Sequence, residues 1–264
     1  MTPREGEEIT LALFSALGLP LKQVPTNDVD SRPDFEATDG AGQRYVVETK
    51  TRFDSDDFIT DLAEGRRAES QPRLDFDDAT EKVIKKAACQ LNALRASDGD
   101  ITIACYVLAG FSPEMQAQQL RATLWGTIRM NDVFDVTFQT DCYYLGHTAF
   151  LKYRDLDAVA AVEPRTGRGG FYPNKFSPRR FEDTTLGRTL LDRGLIRTPE
   201  DAERHGLGVV VPVTTDGVGD FRSRLRAVQA KTGRRLSPMR SYGFQSGFGL
   251  SEEEVRRLLP LDQK

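Results

Sequence analysis

Two short stretches decide the reading of this chain. They are Arg32-Pro33-Asp34-Phe35 and, beyond a turn signalled by Asp39-Gly40, Arg44-Tyr45-Val46-Val47-Glu48-Thr49-Lys50-Thr51. β-Branched residues crowd the second stretch and predict a strand over Arg44–Thr51. Side chains alternate along a strand, so Glu48 and Lys50 share one face while Val47 and Thr49 share the other. A preceding strand over Arg32–Thr38, folded back by the turn, sets Asp34 beside Glu48. Two carboxylates and one ammonium then converge on a single spot.

That trio suits metal-dependent phosphodiester cleavage. Oxygen donors from Asp34, Glu48 and the Thr49 main-chain carbonyl select a hard cation, Mg²⁺ or Mn²⁺. Such an ion lowers the pKa of a bound water and offsets charge developing on the phosphate. Lys50 is placed to orient the attacking water and stabilise the transition state.

Outward from the motif, residues 5–17 form an amphipathic helix with Ile9, Leu11, Leu13, Phe14 and Leu17 on its apolar face, stopped by Gly18. Leu19–Val24 reads as a short strand. Residues 79–96 read as a second helix, with Val83, Ala87, Leu91 and Leu94 inward. Ile101–Ala109 is a continuous apolar run, expected to be a strand buried on both faces. Further on, the pattern predicts helices over Glu114–Arg129, 182–195 and 220–231. It predicts strands at Tyr143–Gly146, Leu156–Val162 and Val209–Val213, and a capped final helix at Ser251–Leu259.

The motif Pro33-Asp34…Glu48-Thr49-Lys50, set in a helix–three strands–helix–strand order over roughly residues 5–109, resembles the PD-(D/E)xK nuclease superfamily. The resemblance implies a restriction-endonuclease-like αβββαβ core with a mixed sheet and Mg-dependent endodeoxyribonuclease activity. Many members add a carboxylate from the first helix, for which Glu7 and Glu8 compete. Glu7 falls about 80° from the centre of the apolar face and Glu8 almost opposite it, which favours Glu7. Some members also carry a polar helper on the second helix. Gln90 takes that position, orienting Lys50 or a phosphate, with Lys86 the weaker candidate. DNA is the expected substrate by the superfamily's habit, in a restriction or phage-defence setting. RNA cleavage, a binding subunit of a larger assembly without activity, or an adaptor for an acidic partner would use the same features. A homodimer would supply two sites for cutting both strands.

Composition narrows the classes. The chain has 264 residues and a net charge of -4. No P-loop and no G-x-S-x-G motif occurs, and His147 and His205 share no metal-ligand spacing. No apolar run suffices for a membrane span. The first residues lack the apolar core of a signal peptide, so a cytoplasmic location is expected. Cys89, Cys105 and Cys142 each sit in apolar surroundings and are expected to be buried free thiols.

The charge is uneven. Residues 1–164 hold 17 Lys+Arg against 28 Asp+Glu, whereas residues 165–264 hold 19 against 12. The expected division is a nuclease core over 1–164 and a basic, mixed α/β extension over 165–264. Arg165, Arg168, Lys175, Arg179 and Arg180, interleaved with Phe171, Tyr172, Phe176 and Phe181, are the expected nucleic-acid contacts. Arg222 to Arg240, followed by Tyr242, Phe244 and Phe248, form a second such stretch. The acidic connection over 52–78 would repel nucleic acid and is expected to gate the cleft.

Overall fold

Helix α1 (Pro3–Ala16) begins at a capping box in which the Thr2 side chain accepts from the Glu5 N–H and the Glu5 side chain accepts from the Thr2 N–H. Its inward face is Gly6, Thr10 and Phe14. Strands β1 (Lys22–Gln23), β2 (Phe35–Thr38) and β3 (Arg44–Arg52) follow, then helix α2 (Asp78–Leu94) and strand β4 (Ile101–Leu108). The computed structural model describes residues 2–25, 33–53, 64, 77–110, 112–135, 137–213 and 220–238. Arg32, nearly all of the acidic connection with its expected gate, Arg240, the three aromatics after it and the Ser251–Leu259 helix lie outside the described residues.

The protein is a mixed α/β structure around a six-stranded mixed sheet of order β1-β2-β3-β4-β7-β8. β1, β2 and β3 pair antiparallel, β3, β4 and β7 (Ala158–Val162) pair parallel, and β8 (Gly169–Pro173) returns antiparallel. Alternation divides the core into two layers. Tyr45, Val47, Ile103, Cys105, Val107 and Ala160 face α1 through Phe14. Val46, Ala104, Tyr106, Leu108 and Val159 face α2 through Ile84, Ala87 and Leu91. β4 is buried along its whole length, as its unbroken apolar run requires.

Several expectations need correction. Val83 is exposed, and the inward face of α2 is Thr80, Ile84, Ala87, Ala88 and Leu91. Cys89 on that helix is exposed, while Cys105 and Cys142 are buried free thiols whose pKa burial pushes up to about 12. The third helix, α3 (Pro113–Trp125), stops four residues early. Gly126 adopts a left-handed conformation there, φ 59°, and a Cβ on it would lie 2.6 Å from the His147 carbonyl oxygen. The chain turns at once into β5 (Ile128–Asp132), which pairs with β6 (Gln139–Tyr143). The strand expected at Tyr143–Gly146 therefore lies earlier.

The remaining elements are α4 (Ala149–Lys152), a 3-10 turn at Phe181–Asp183, α5 (Thr185–Asp192), α6 (Pro199–Arg204), β9 (Gly208–Val210), α7 (Phe221–Thr232) and β10 (Leu236–Pro238). A second sheet has the order β10-β5-β6-β9, and its Met130, Cys142 and Leu236 join the α2-side core.

The change in composition at residue 165 is not a boundary in the fold. β8 is the edge strand of the main sheet, and β9 and β10 complete a second sheet begun by β5 and β6. No helix among the described residues is long and apolar enough to cross a membrane. Gly126→Ala combines a left-handed backbone with a backbone collision and should cost at least about 1 kcal/mol of stability. Urea denaturation of the variant measures it, and an unchanged midpoint would refute the role given to this glycine.

Candidate functional site

The site follows from strand register. Phe35 pairs with Val47, so Asp34, one residue before β2, falls opposite Glu48. The Asp34 N–H donates to Glu48 Oε2 at 3.2 Å, and the Thr49 N–H donates to Asp34 Oδ2 at 2.7 Å. β2 goes no further, so among the described residues the end of β3 has no strand paired on that side. Glu48 and Lys50 project toward α2 with Val46, and Thr49 projects toward α1, where its hydroxyl meets Thr10 Oγ1 at 3.1 Å. Lys50 Nζ donates to Glu48 Oε1 and, at 2.8 Å, to Gln90 Oε1. Gln90, chosen from the sequence for its position on the second helix, thus holds the lysine from above.

Two arginines of β3 set α2 over this spot. Arg52 bonds Thr80 Oγ1, Asp77 Oδ2 at 3.2 Å and Gln119 Oε1 at 2.8 Å, fastening the N-terminal end of the helix. Arg44 bonds the Leu94 carbonyl at 3.2 Å and Asp100 at 2.6 Å, fastening the other end. Eight strand steps cover about 26 Å. The sixteen steps of α2 cover about 24 Å. Strand and helix therefore match in length, and the Gln90 side chain meets Lys50 two residues before the end of β3.

The electrostatics are those of a crowded anionic centre. Glu48 is 1 % exposed, and burial, then the charge of Asp34, pushes its pKa up to about 7 despite the Lys50 ammonium. Burial also raises Asp34, against the opposing bond from Thr49 and the charge of Lys50. Glu7 is partly buried on α1, and burial followed by the Asp34 charge raises it as well. Glu8 points outward, 3.6 Å from Arg4. Of the two helix carboxylates, Glu7 is therefore the one that senses the centre.

The donor set is all oxygen. Among the described residues no three His, Cys, Asp or Glu side chains group closely enough to hold a metal ion unaided. Two carboxylates with a main-chain carbonyl are nevertheless what a hexahydrate-preferring ion such as Mg²⁺ uses, completing its shell with water and substrate phosphate. Asp34, Glu48 and the Thr49 carbonyl fit that description, and a cation there would offset the repulsion that raises Glu48.

The basic residues expected to contact nucleic acid are scattered. Arg179 is spent on buried Asp157, with Nε at 2.8 and 2.9 Å from the two carboxylate oxygens. Lys175 pairs with Glu200 at 2.9 Å and lies 3.7 Å over the Tyr144 ring. Arg180 stands 3.9 Å from Asp183. Only Arg165 and Arg168, on the β7–β8 turn, are exposed without an ion pair to a described residue. Phe171, Tyr172, Phe176 and Phe181 are buried core residues. In the second basic stretch, Arg224 caps the Tyr144 and Gly146 carbonyls, Lys231 bonds Glu203 and Arg234 bonds Asp132 and Asp135.

Sequence reasoning missed the Arg44 and Arg52 fastenings. Their signal was present as two arginines eight residues apart on one strand face, unusual at the ends of a buried strand.

The raised Glu48 pKa carries a sign. Below about pH 4.5 the carboxyl is neutral folded and unfolded; between there and about 7 it ionises only when unfolded, so stability falls with rising pH and levels off above. Glu48→Gln removes this penalty. The variant's melting temperature should gain on wild type as pH rises from 4.5 to 7.5, in metal-free buffer, and a constant difference across that range would refute the burial argument. No family model matches the chain, and neither a curated protein nor a solved structure matches it.

Proposed function

We propose that this protein is a divalent-metal-dependent nuclease hydrolysing phosphodiester bonds in DNA, with residues 3–108 forming a restriction-endonuclease-like αβββαβ core. The observation that carries the reading is the convergence of Asp34, Glu48 and Lys50 near the end of β3, with Gln90 bonded to the lysine and Glu48 pushed toward neutrality. A structural ion pair needs only one carboxylate per ammonium; a second buried carboxylate against the first is a cost that suits a cation site.

Asp34, Glu48 and the Thr49 carbonyl would hold Mg²⁺ or Mn²⁺. When bound, the ion supplies an acidified water and charge stabilisation at the phosphate. The protein's own groups do the rest. Gln90 keeps the Lys50 ammonium in place when Glu48 is drawn to the cation. Lys50 then points donors at the attacking oxygen and the phosphate, where negative charge grows. Glu7 accepts a proton or a water hydrogen bond at the edge of the centre. Its raised pKa suits that task.

The test is a cleavage panel of supercoiled plasmid, linear duplex, single-stranded DNA and RNA, with Mg²⁺ or Mn²⁺. Wild type should cut DNA. Asp34→Asn and Lys50→Ala should lose activity by about 10³-fold or more, on the scale of losing a transition-state donor. Gln90→Leu should lose about 10- to 100-fold, the usual effect of a supporting partner. Wild type that cuts nothing with either metal, or a Lys50→Ala variant as active as wild type, would overturn the reading. Cutting confined to RNA would move the substrate and leave the chemistry.

A second expectation concerns pH. Cation binding needs ionised Glu48, so the Mg²⁺ concentration for half-maximal activity should fall as pH rises from 6 to 8. An Mg²⁺ requirement independent of pH would exclude Glu48 as a ligand.

A further inference from the structure

We infer that the cleft between α3 and α6 binds a nucleoside phosphate unit, its phosphate among Arg121, Arg168 and Arg197 and its base against an apolar floor. The cleft has a volume of about 840 Å³, within the range of small-molecule sites. It opens beyond the carboxyl ends of the parallel strands β4 and β7, where Leu108 and Ala161 form part of its floor. Crevices at that end of an open sheet are where α/β proteins bind ligands. The residues differ from those of the Asp34–Glu48–Lys50 centre, so the inference stands apart from the nuclease reading.

Three cations from three separate elements line the cleft. Arg121 comes from α3, Arg168 from the β7–β8 turn and Arg197 from the segment leading to α6. None forms an ion pair with a described residue. Of the four lining acids, Asp141 and Asp201 are held in ion pairs, whereas Glu114 and Glu163 have none with a described residue, which leaves three arginines against two carboxylates. Asp141 takes two bonds from Arg129, at 2.7 and 3.1 Å. Asp201 accepts from Thr198 Oγ1 and pairs with Arg204, and Glu163 accepts from Thr166 Oγ1 at 2.6 Å. The charge left over is positive, which selects an anion, and guanidinium groups match phosphate oxygens best.

The floor specifies more than a bare anion. Trp125, Tyr143 and Tyr172 form an edge-to-face cluster, with centroids 5.8 and 5.4 Å from Trp125. Leu207, 68 % exposed, stands at the rim as a large apolar side chain with nothing described covering it. The Trp125 indole N–H and the Thr127 hydroxyl, both on lining residues, are buried and have no hydrogen-bond partner among the described residues. Such groups are rare in folded proteins and are commonly met by a water or ligand. An anion with a flat, partly apolar body and additional acceptors answers all of these features together, and a nucleotide is that kind of molecule.

The unit could arrive free or as part of a single strand, and the experiment separates the two. Trp125 is the chain's single tryptophan, so its fluorescence reports on this cleft. The full-length protein, without divalent metal, is titrated with the four common nucleoside monophosphates, with adenosine, with inorganic phosphate and with a single-stranded DNA dodecamer. A monophosphate or the dodecamer should change Trp125 emission and bind at least tenfold more tightly than adenosine or inorganic phosphate. Arg121→Gln and Arg197→Gln should each weaken that binding at least tenfold, whereas Arg188→Gln, outside the cleft, should leave it unchanged. All three positions are at least partly exposed, and circular dichroism confirms folding. Binding by the dodecamer alone, lost in the arginine variants, assigns the unit to a strand. Binding by a monophosphate assigns it to a free nucleotide. No binding by either, inorganic phosphate binding as tightly as a nucleotide, or a double arginine variant that binds like wild type would overturn the inference.

Discussion

β3 and β4 run parallel through eight registered pairs, from Tyr45–Ile101 to Arg52–Leu108. A parallel pair cannot be closed by a tight turn, so the chain must cross a face of the sheet to return. α2 is that crossing. Its placement over β3 buries Ile84, Ala87 and Leu91 against Val46, Ala104 and Tyr106, and lays Gln90 over Lys50 as a consequence. α1 covers the opposite face through Phe14 and the Thr10–Thr49 contact. Among the described residues, the polar end of β3 extends past the edge of β2, which begins at Phe35.

That arrangement explains why carboxylates can sit where burial disfavours them. The main-chain N–H groups of Asp34 and Thr49 and the ammonium of Lys50 offset part of the cost. They do not offset all of it, since Glu48 remains well above the usual carboxylate range. A fold that only needed stability would gain from an apolar pair in its place. On the proposed reading the arrangement is a site held ready at the expense of local stability, with the arginine fastenings at both ends of α2 keeping it in shape.

The parallel β4–β7 pair poses the same topological problem with a different solution. Its crossing, residues 109–157, carries α3, the β5–β6 hairpin and α4. The hairpin became the nucleus of a second sheet, to which β9 and β10 were added from the C-terminal part of the chain. The basic segments are therefore stitched into acids of the N-terminal part, as in Arg179–Asp157 and Arg234–Asp132. The opposite charges of the two halves are complementary within one fold.

Local pattern was enough to place α1, β3, α2 and β4 among the described residues of the first 108. β-Branched alternation marked β3, the apolar run marked β4, and a motif confined to adjacent strands placed Asp34 beside Glu48, because strand register is a short-range property. Helical phase separated Glu7 from Glu8 for the same reason. The phase of α2 was read one residue off, with Val83 inward in place of Ile84, because both are apolar and only the packing against Val46 chooses between them. The end of α3 was missed because the collision that demands glycine at 126 comes from His147, remote in sequence. The role of the basic residues was least legible. An arginine's partner, Asp157 for Arg179 or none among the described residues for Arg121 and Arg197, is decided by which elements the tertiary fold brings together. Sequence by itself determined the residues and the register of the candidate centre; the tertiary structure alone decided which charges are spent inside the protein and which have no ion-pair partner among the described residues.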